Sequence, residues 1–248
     1  MSVIKKGWWA FRNLLSYFLV FWVVLVLLPV LFILFLLPAS CKQVEKLTFS
    51  CIDLLYKGIT GALLVPLHIS GKSHIPSTPA IIVANHQSSL DIPLVGMLLD
   101  GYPHMWYALA YYANFPILGL FIRKLGVPID RSNLTNAARA LIKGIKLVDG
   151  ANRHVVIFPE GGRFNDGTVH EFLRGFAVIA RTTKRPVVPV FMPHNGEMFP
   201  PPGILMYPRS LSVTVGKPFV YEKEETDEQF VHRVHDWFEQ KQAQVSPG

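Results

Sequence analysis

Asn85-His86-Gln87-Ser88-Ser89-Leu90-Asp91 sets a histidine and an aspartate five residues apart, directly after the apolar run Ala80–Ala84. Pro93 is best placed in the first turn of a helix, so a helix is expected to begin near Ser89–Asp91. His86 would then stand in a strand-to-helix turn, at the strand end where open α/β sheets usually bind ligands. A carboxylate on one imidazole nitrogen fixes the tautomer and makes the other more basic. Such a pair can deprotonate a hydroxyl. The same residues have a purely structural use, since Ser88-x-x-Asp91 is also a capping-box pattern. On this segment alone the two readings are about even.

A second group follows the apolar run His154–Phe158. In Phe158-Pro159-Glu160-Gly161-Gly162-Arg163, two glycines allow close backbone approach to a ligand. Arg163 offers a planar fork suited to phosphate, and Glu160 would hold it or orient a hydroxyl. The alternative is a tight turn with an exposed ion pair, worth little. Two further arginines are anion candidates: Arg174, at the opening of a helix, and Arg131, in the Asp130-Arg131 pair that ends a strand. Arg181, Lys184 and Arg185 read as an ordinary solvated basic face.

Other chemistry finds no support. Gly71-Lys72-Ser73 ends like a phosphate loop, but Pro66 replaces its first glycine. His232 and His235 share a helix face without a third ligand, so no metal is expected. No G-x-S-x-G elbow is present, and basic and aromatic residues do not interleave as nucleic-acid binding requires. Cys41 and Cys51 are expected as free thiols.

The elements that must position these groups alternate. Strands are expected at 67–70, 80–84, 105–109, 127–130, 154–158, 187–191 and 211–215. Helices are expected at 90–99, 117–125, 134–148, 176–183 and 226–242, with a rigid loop at Pro200-Pro201-Pro202-Gly203. This is the pattern of an α/β domain with a mostly parallel sheet flanked by helices.

Ahead of it lies a different solvent problem. The 248-residue chain is 50% hydrophobic and only 17% charged, against about 25% charged in ordinary soluble domains. That excludes disorder, and two cysteines exclude a disulfide scaffold. The excess is concentrated in the uncharged run from Asn13 to Cys41, which as a helix would reach ~43 Å against a hydrocarbon core of ~30 Å. Pro29 favours a kink within it. Residues 44–66 look amphipathic, with Leu47, Leu54, Leu55, Ile59 and Leu63 near helical spacing. Basic residues flank the run on both sides, so the positive-inside rule gives no orientation. A hairpin lying in one leaflet is modestly preferred to a single span. Pro38-Ala39-Ser40-Cys41 weakly resembles a lipoprotein cleavage site, but Pro38 stands where an aliphatic residue is needed. Residues 1–65 are thus read as membrane-associated helices and 66–248 as the α/β domain. The net charge of +7 is uneven, with 18 basic against 10 acidic residues in 42–220 and 3 against 7 in 221–248. The acidic end has Phe230, Val234, Trp237 and Phe238 on one helix face.

With these motifs in order, the chain resembles the 1-acyl-sn-glycerol-3-phosphate acyltransferase (PlsC-like) family of glycerolipid acyltransferases. Asn85–Asp91 is similar to its NHx4D signature and Phe158–Arg163 to its Glu-Gly-x-Arg block, about 70 residues apart. Val187-Val188-Pro189-Val190 matches a later block, where Pro189 is expected to be structural. The resemblance implies transfer of a fatty acyl group from acyl-CoA or acyl-carrier protein to the sn-2 hydroxyl of lysophosphatidic acid, giving phosphatidic acid. His86 would be the base and Asp91 its orienting partner, with no acyl-enzyme and no cofactor. Glu160, Gly161, Gly162 and Arg163 would bind the acceptor, helped by Arg131 and Arg174. Membrane phospholipids would be partners, nucleic acid would not, and the site would face the cytoplasm from the inner membrane. The family's Lys-x-Glu-Leu block is missing at 108–115, so another acceptor (lysophosphatidylcholine-like, lysocardiolipin or a lyso-ornithine lipid) is the alternative. A non-enzymatic lipid-binding protein is the remaining reading.

Overall fold

The computed structural model describes residues 3–38, 41–130, 133–200, 203, 205–207 and 209–245. Ala39, Ser40, Arg131, Pro201 and Pro202 lie outside them. Two helices come first, α1 (Val3–Leu36) and α2 (Lys42–Ala62). The body follows in the order β1 (Leu67–Ser70), β2 (Ile81–Ala84), α3 (Asp91–Leu98), β3 (His104–Leu109), α4 (Pro116–Leu125), β4 (Gly126–Ile129), α5 (Leu134–Val148) and β5 (His154–Ile157). It ends with α6 (Gly175–Thr183), β6 (Val187–Phe191), α7 (Asn195–Met198), β7 (Leu211–Val215) and α8 (Asp227–Val245). The strands form one sheet in the order β1-β7-β6-β2-β5-β3-β4, parallel except for the antiparallel β6–β7 pair.

Pleating explains the two cores. Side chains alternate across a strand, so Ile82 and Ala84 of β2 join Leu94, Val95 and Leu98 of α3 on one face. Ile81 and Val83 join Phe176 and Ile179 of α6 and Phe230, Val234 and Phe238 of α8 on the other. Strands β2, β5 and β6 are buried throughout, which is why they read as unbroken apolar runs. β2 and β5 are direct neighbours, Val83 opposite Ile157, so the loops leaving their carboxyl ends emerge side by side.

The hairpin is fastened to the body at both ends. Near the start of α1, Trp9 Nε1 and Arg12 Nη2 donate to the Met206 carbonyl at 2.7 and 3.1 Å. Arg12 is therefore a buried structural contact and not a free flanking charge. At the far end, Phe35 meets Phe121 of α4 edge to face at 5.1 Å. Two glycines set the approach distances. A Cβ on Gly58 of α2 would fall 2.8 Å from Val23 Cγ1 of α1. A Cβ on Gly96 of α3 would fall 2.2 Å from the Tyr56 ring of α2. Leu31, Phe49, Ile52 and Tyr56 form the resulting small core.

The buried stripe of α2 differs from the expected one. It runs through Phe49, Ile52, Tyr56 and Thr60, whereas Leu47 and Leu54 point outward. The body takes one side of α2, leaving a second apolar side exposed beside Phe18, Trp22 and Val26 of α1. α1 continues through Pro29 without ending. Residues 7–36 are long and apolar enough to cross a membrane.

Candidate active site

The site is built where the β2 and β5 loops meet. Asp91, the first residue of α3, is fully buried and its carboxylate reaches back along the turn. Its Oδ2 accepts from His86 Nδ1 at 2.8 Å and from the backbone N–H groups of Gln87 and Ser88 at 2.7 and 2.8 Å. Its Oδ1 accepts from Asn195 Nδ2 at 2.8 Å. A buried carboxylate needs hydrogen-bond donors, and these four supply them. The Ser88 N–H bond is one half of the capping box. The capping reading and the pairing reading are thus satisfied by one carboxylate, and neither excludes the other.

With Nδ1–H donating to Asp91, the His86 Nε2 carries the lone pair and has no hydrogen-bond partner among the described residues. Phe158 stacks on the imidazole at 3.9 Å and 9° between planes, and Trp106 backs Phe158 at 5.7 Å. The ring is therefore fixed by a hydrogen bond at its edge and an aromatic face. Asn85 secures the turn from behind. Its side chain exchanges two hydrogen bonds with the Met192 backbone, at 2.9 and 2.8 Å, where β6 ends.

Glu160 crosses from the β5 loop, and its Oε1 accepts the His86 N–H at 2.9 Å. Among the described residues its Oε2 has no partner within normal hydrogen-bond geometry. Burial pushes the Glu160 carboxyl up to about 7, opposed by the N–H groups of His86 and His170 and reinforced by the Asp91 charge. The ordinary value is 4.5, so between pH 4.5 and 7 the folded protein holds a proton that the unfolded chain has lost. The stability this carboxyl permits is complete below pH 4.5 and falls as pH rises through 7. Glu160→Gln, which does not titrate, should melt like the wild type at pH 4. It should melt higher at pH 8, by the equivalent of about 3 kcal/mol at most. Melting in detergent micelles across that range checks this. A Gln variant equal to wild type at both ends would show that the buried carboxyl carries no such cost.

Arg163 follows three residues after Glu160 in the same loop. Its Nη1 donates to Ser89 Oγ at 2.7 Å and its Nη2 to Tyr112 Oη at 2.6 Å. Among the described residues no carboxylate pairs with it. Two of its five N–H donors are used, on neutral hydroxyls, and three remain for an anion. Tyr112 lies in the 3-10 turn Ala110–Asn114, within the segment that lacks the Lys-x-Glu-Leu block. A tyrosine hydroxyl thus reaches the arginine from there. Gly162 packs against Phe164, whose N–H bonds the His86 carbonyl at 2.9 Å.

Residues 66–193, which hold both motifs, match the sequence profile of the family described as Acyltransferase. The chain belongs to the acyltransferase family. It is 31% identical over 144 residues to a 1-acyl-sn-glycerol-3-phosphate acyltransferase from Limnanthes alba, covering 56% of this chain and 50% of that relative. It is 28% identical over 182 residues to the enzyme of that name from Pseudomonas aeruginosa, covering 72% and 70%. The chain spans about half the length of the Limnanthes relatives it matches. The crystal structure of the 1-acyl-sn-glycerophosphate acyltransferase PlsC from Thermotoga maritima superposes with a TM-score of 0.78, over 96% of this chain and 99% of that one. At 23% identity that likeness establishes the fold.

Within this acyltransferase-family framework, His86, Asp91, Glu160, Gly161, Gly162 and Arg163 come together. Arg174 does not join them. Its guanidinium turns outward to Glu228 of α8 at 2.8 Å, because the acidic last helix lies across α6. Arg181 is likewise paired with Asp227 at 2.9 Å. Arg185 donates to the carbonyls of Arg153 and Ala151 at 2.8 and 2.9 Å, a structural role. Arg131 lies outside the described residues. Three contributors escaped the sequence reading: Asn195, Tyr112 and the stacking ring of Phe158. The signal for Asn195 was an amide between the apolar run ending at Met192 and Gly196. The tyrosine carried none.

Proposed function

We propose that the protein transfers a fatty acyl group from a thioester, acyl-CoA or acyl-carrier protein, to the sn-2 hydroxyl of lysophosphatidic acid. One observation carries the reading. A His86–Asp91 pair with a free Nε2 shares a rim with an arginine that no carboxylate neutralises, and Ser89 links the two. His86 Nε2 removes the proton of the acceptor hydroxyl as its oxygen attacks the thioester carbonyl carbon. The carbon–sulfur bond then breaks, and the departing thiolate takes the proton from the imidazolium. Asp91 remains ionised and stabilises the positive ring. Arg163, steadied by Tyr112 and Ser89, takes the acceptor phosphate. The names of the relatives above support this acceptor. The chemistry needs no cofactor or metal.

The exposed apolar sides of α1 and α2 support a membrane seat. Because α1 is bound to the body near both of its ends, the hairpin is best read as lying in one leaflet rather than crossing it. Thioester donors are soluble and cytosolic, so the pocket would face the cytoplasm from the inner membrane. The decisive assay supplies labelled acyl thioester and a panel of lysolipids to the purified protein. Labelled phosphatidic acid as the main product is expected. Faster acylation of a lysophosphatidylcholine-like, lysocardiolipin or lyso-ornithine acceptor would replace the substrate assignment. No thioester consumption with any of them would overturn the enzymatic reading.

A further inference from the structure

Between the Arg163 pocket and α1 lies an apolar surface that the body does not cover. Leu109, Tyr111, Phe115, Ile117 and Leu118 are all exposed, Tyr111 and Ile117 by 66% and 60%. They span the end of β3, the 3-10 turn Ala110–Asn114 and the first turn of α4. Five large apolar groups within ten residues form a patch, which on a soluble surface is unusual.

Two observations say what covers it. Ile117 and Leu118 precede Phe121 by four and three residues, so all three share one helix face. Phe121 packs on Phe35 in the last turn of α1, and Leu125 joins the same hairpin core. The patch therefore continues the exposed apolar side of α1, where Phe32, Ile33 and Leu36 stand free. Arg123 and Lys124 close α4 with positive charge, and Arg123 Nη1 is held at 2.6 Å by the Ala113 carbonyl. Apolar and aromatic groups at one end and basic groups at the other are the pattern of an element lying at the boundary of an anionic leaflet.

We propose that Leu109–Leu118 is a second membrane-contacting element, inserted into the same leaflet as α1. This rests on the membrane seat of the proposed function and extends it to the pocket. Tyr112 sits inside the element and holds Arg163. Insertion would set the phosphate-binding guanidinium at headgroup level, so an acceptor need not leave the bilayer to be bound.

Site-directed nitroxide labels in anionic vesicles test this without reference to turnover. Cys41 and Cys51 are first changed to serine. Labels are then placed at Ile117→Cys and Leu118→Cys, with Val26→Cys on α1 as the lipid reference and Lys143→Cys on α5 as the water reference. Labels at 117 and 118 should be relaxed by oxygen and shielded from a nickel chelate, like the one at 26. Water-like behaviour at 117 and 118 with lipid-like behaviour at 26 would overturn the proposal alone. Water-like behaviour at all three would overturn the membrane seat with it. A second arm uses the double variant Ile117→Asp/Leu118→Asp. It should lose activity about tenfold on a bilayer-embedded acceptor and keep it on a water-soluble short-chain acceptor. Equal losses on both would overturn the proposal.

Discussion

Replacing His86 by alanine should lower the turnover number by about a hundredfold to ten-thousandfold while leaving the fold and vesicle binding intact. The side chain is partly buried, but the segment keeps its other ties. Asn85 remains clamped to Met192 and Asp91 still accepts the Gln87 and Ser88 N–H groups. Loss of the ring removes an unengaged basic nitrogen at the junction of the β2 and β5 loops. Asp91→Asn separates charge from shape. The amide oxygen can take the place of Oδ2 if its NH2 group faces Asn195. The Asn195 Oδ1 is buried and without a partner among the described residues, so a flip of that amide accepts the new donor. The turn survives, His86 keeps its tautomer, and only the charge opposite the imidazolium is gone. Turnover should fall by roughly a hundredfold or more. Circular dichroism and vesicle flotation beside single-turnover rates check both variants. Near-normal rates from His86→Ala would remove it from the chemistry.

Arg163→Ala should act on a different constant. The guanidinium touches no part of the His86 network except through Ser89 Oγ, so the expected loss is in acceptor KM, by about 10- to 100-fold, with a smaller effect on kcat. That is the range for charge-assisted hydrogen bonds to a phosphate. The variant should also lose discrimination between a phosphorylated acceptor and an uncharged monoacylglycerol. Arg163→Lys retains the charge but not the fork, and should recover part of the loss. Tyr112→Phe should cost a few-fold, since it frees the arginine without removing it. An Arg163→Ala variant that loses the same factor on monoacylglycerol would have a damaged pocket rather than a missing phosphate ligand.

The β-strands were legible because burial on both faces leaves an unbroken apolar run, as in Val187–Phe191, and burial on one face leaves an alternating one, as in Leu211–Val215. Strand ends slipped by a residue where a side chain had other work. Phe158 leaves β5 to stack on His86, and Asp130 leaves β4 to bond Asn136 Nδ2 at 3.1 Å. The reversal of β7 against β6 was not legible. Among the described residues of its connection the short helix α7 is the one helix, and no periodic signal marks a missing crossover. The His86–Asp91 and Glu160–Arg163 groups could be read because both lie in local motifs. Tyr112 and Asn195 could not, since each contributes one atom from a distant segment. Arg174 misled because charge in sequence does not reveal that an acidic helix folds back over it. The outward stripe of α2 misled for a related reason: two sides of the helix are apolar, and only one of them packs on the body.

Most membrane anchors are interchangeable parts, replaceable by any sequence of the right length and greasiness. The close approach at Gly96 makes this one bespoke. Tyr56 fills the space that a methyl group on α3 would take, and α3 begins with the aspartate that orients the base. A foreign span in place of residues 3–62 would leave Met97, Trp106 and Phe121 facing a void. Trp106 supports Phe158, which supports His86. Modularity ends where the hairpin becomes a wall of the body, so each part limits which residues the other can accept.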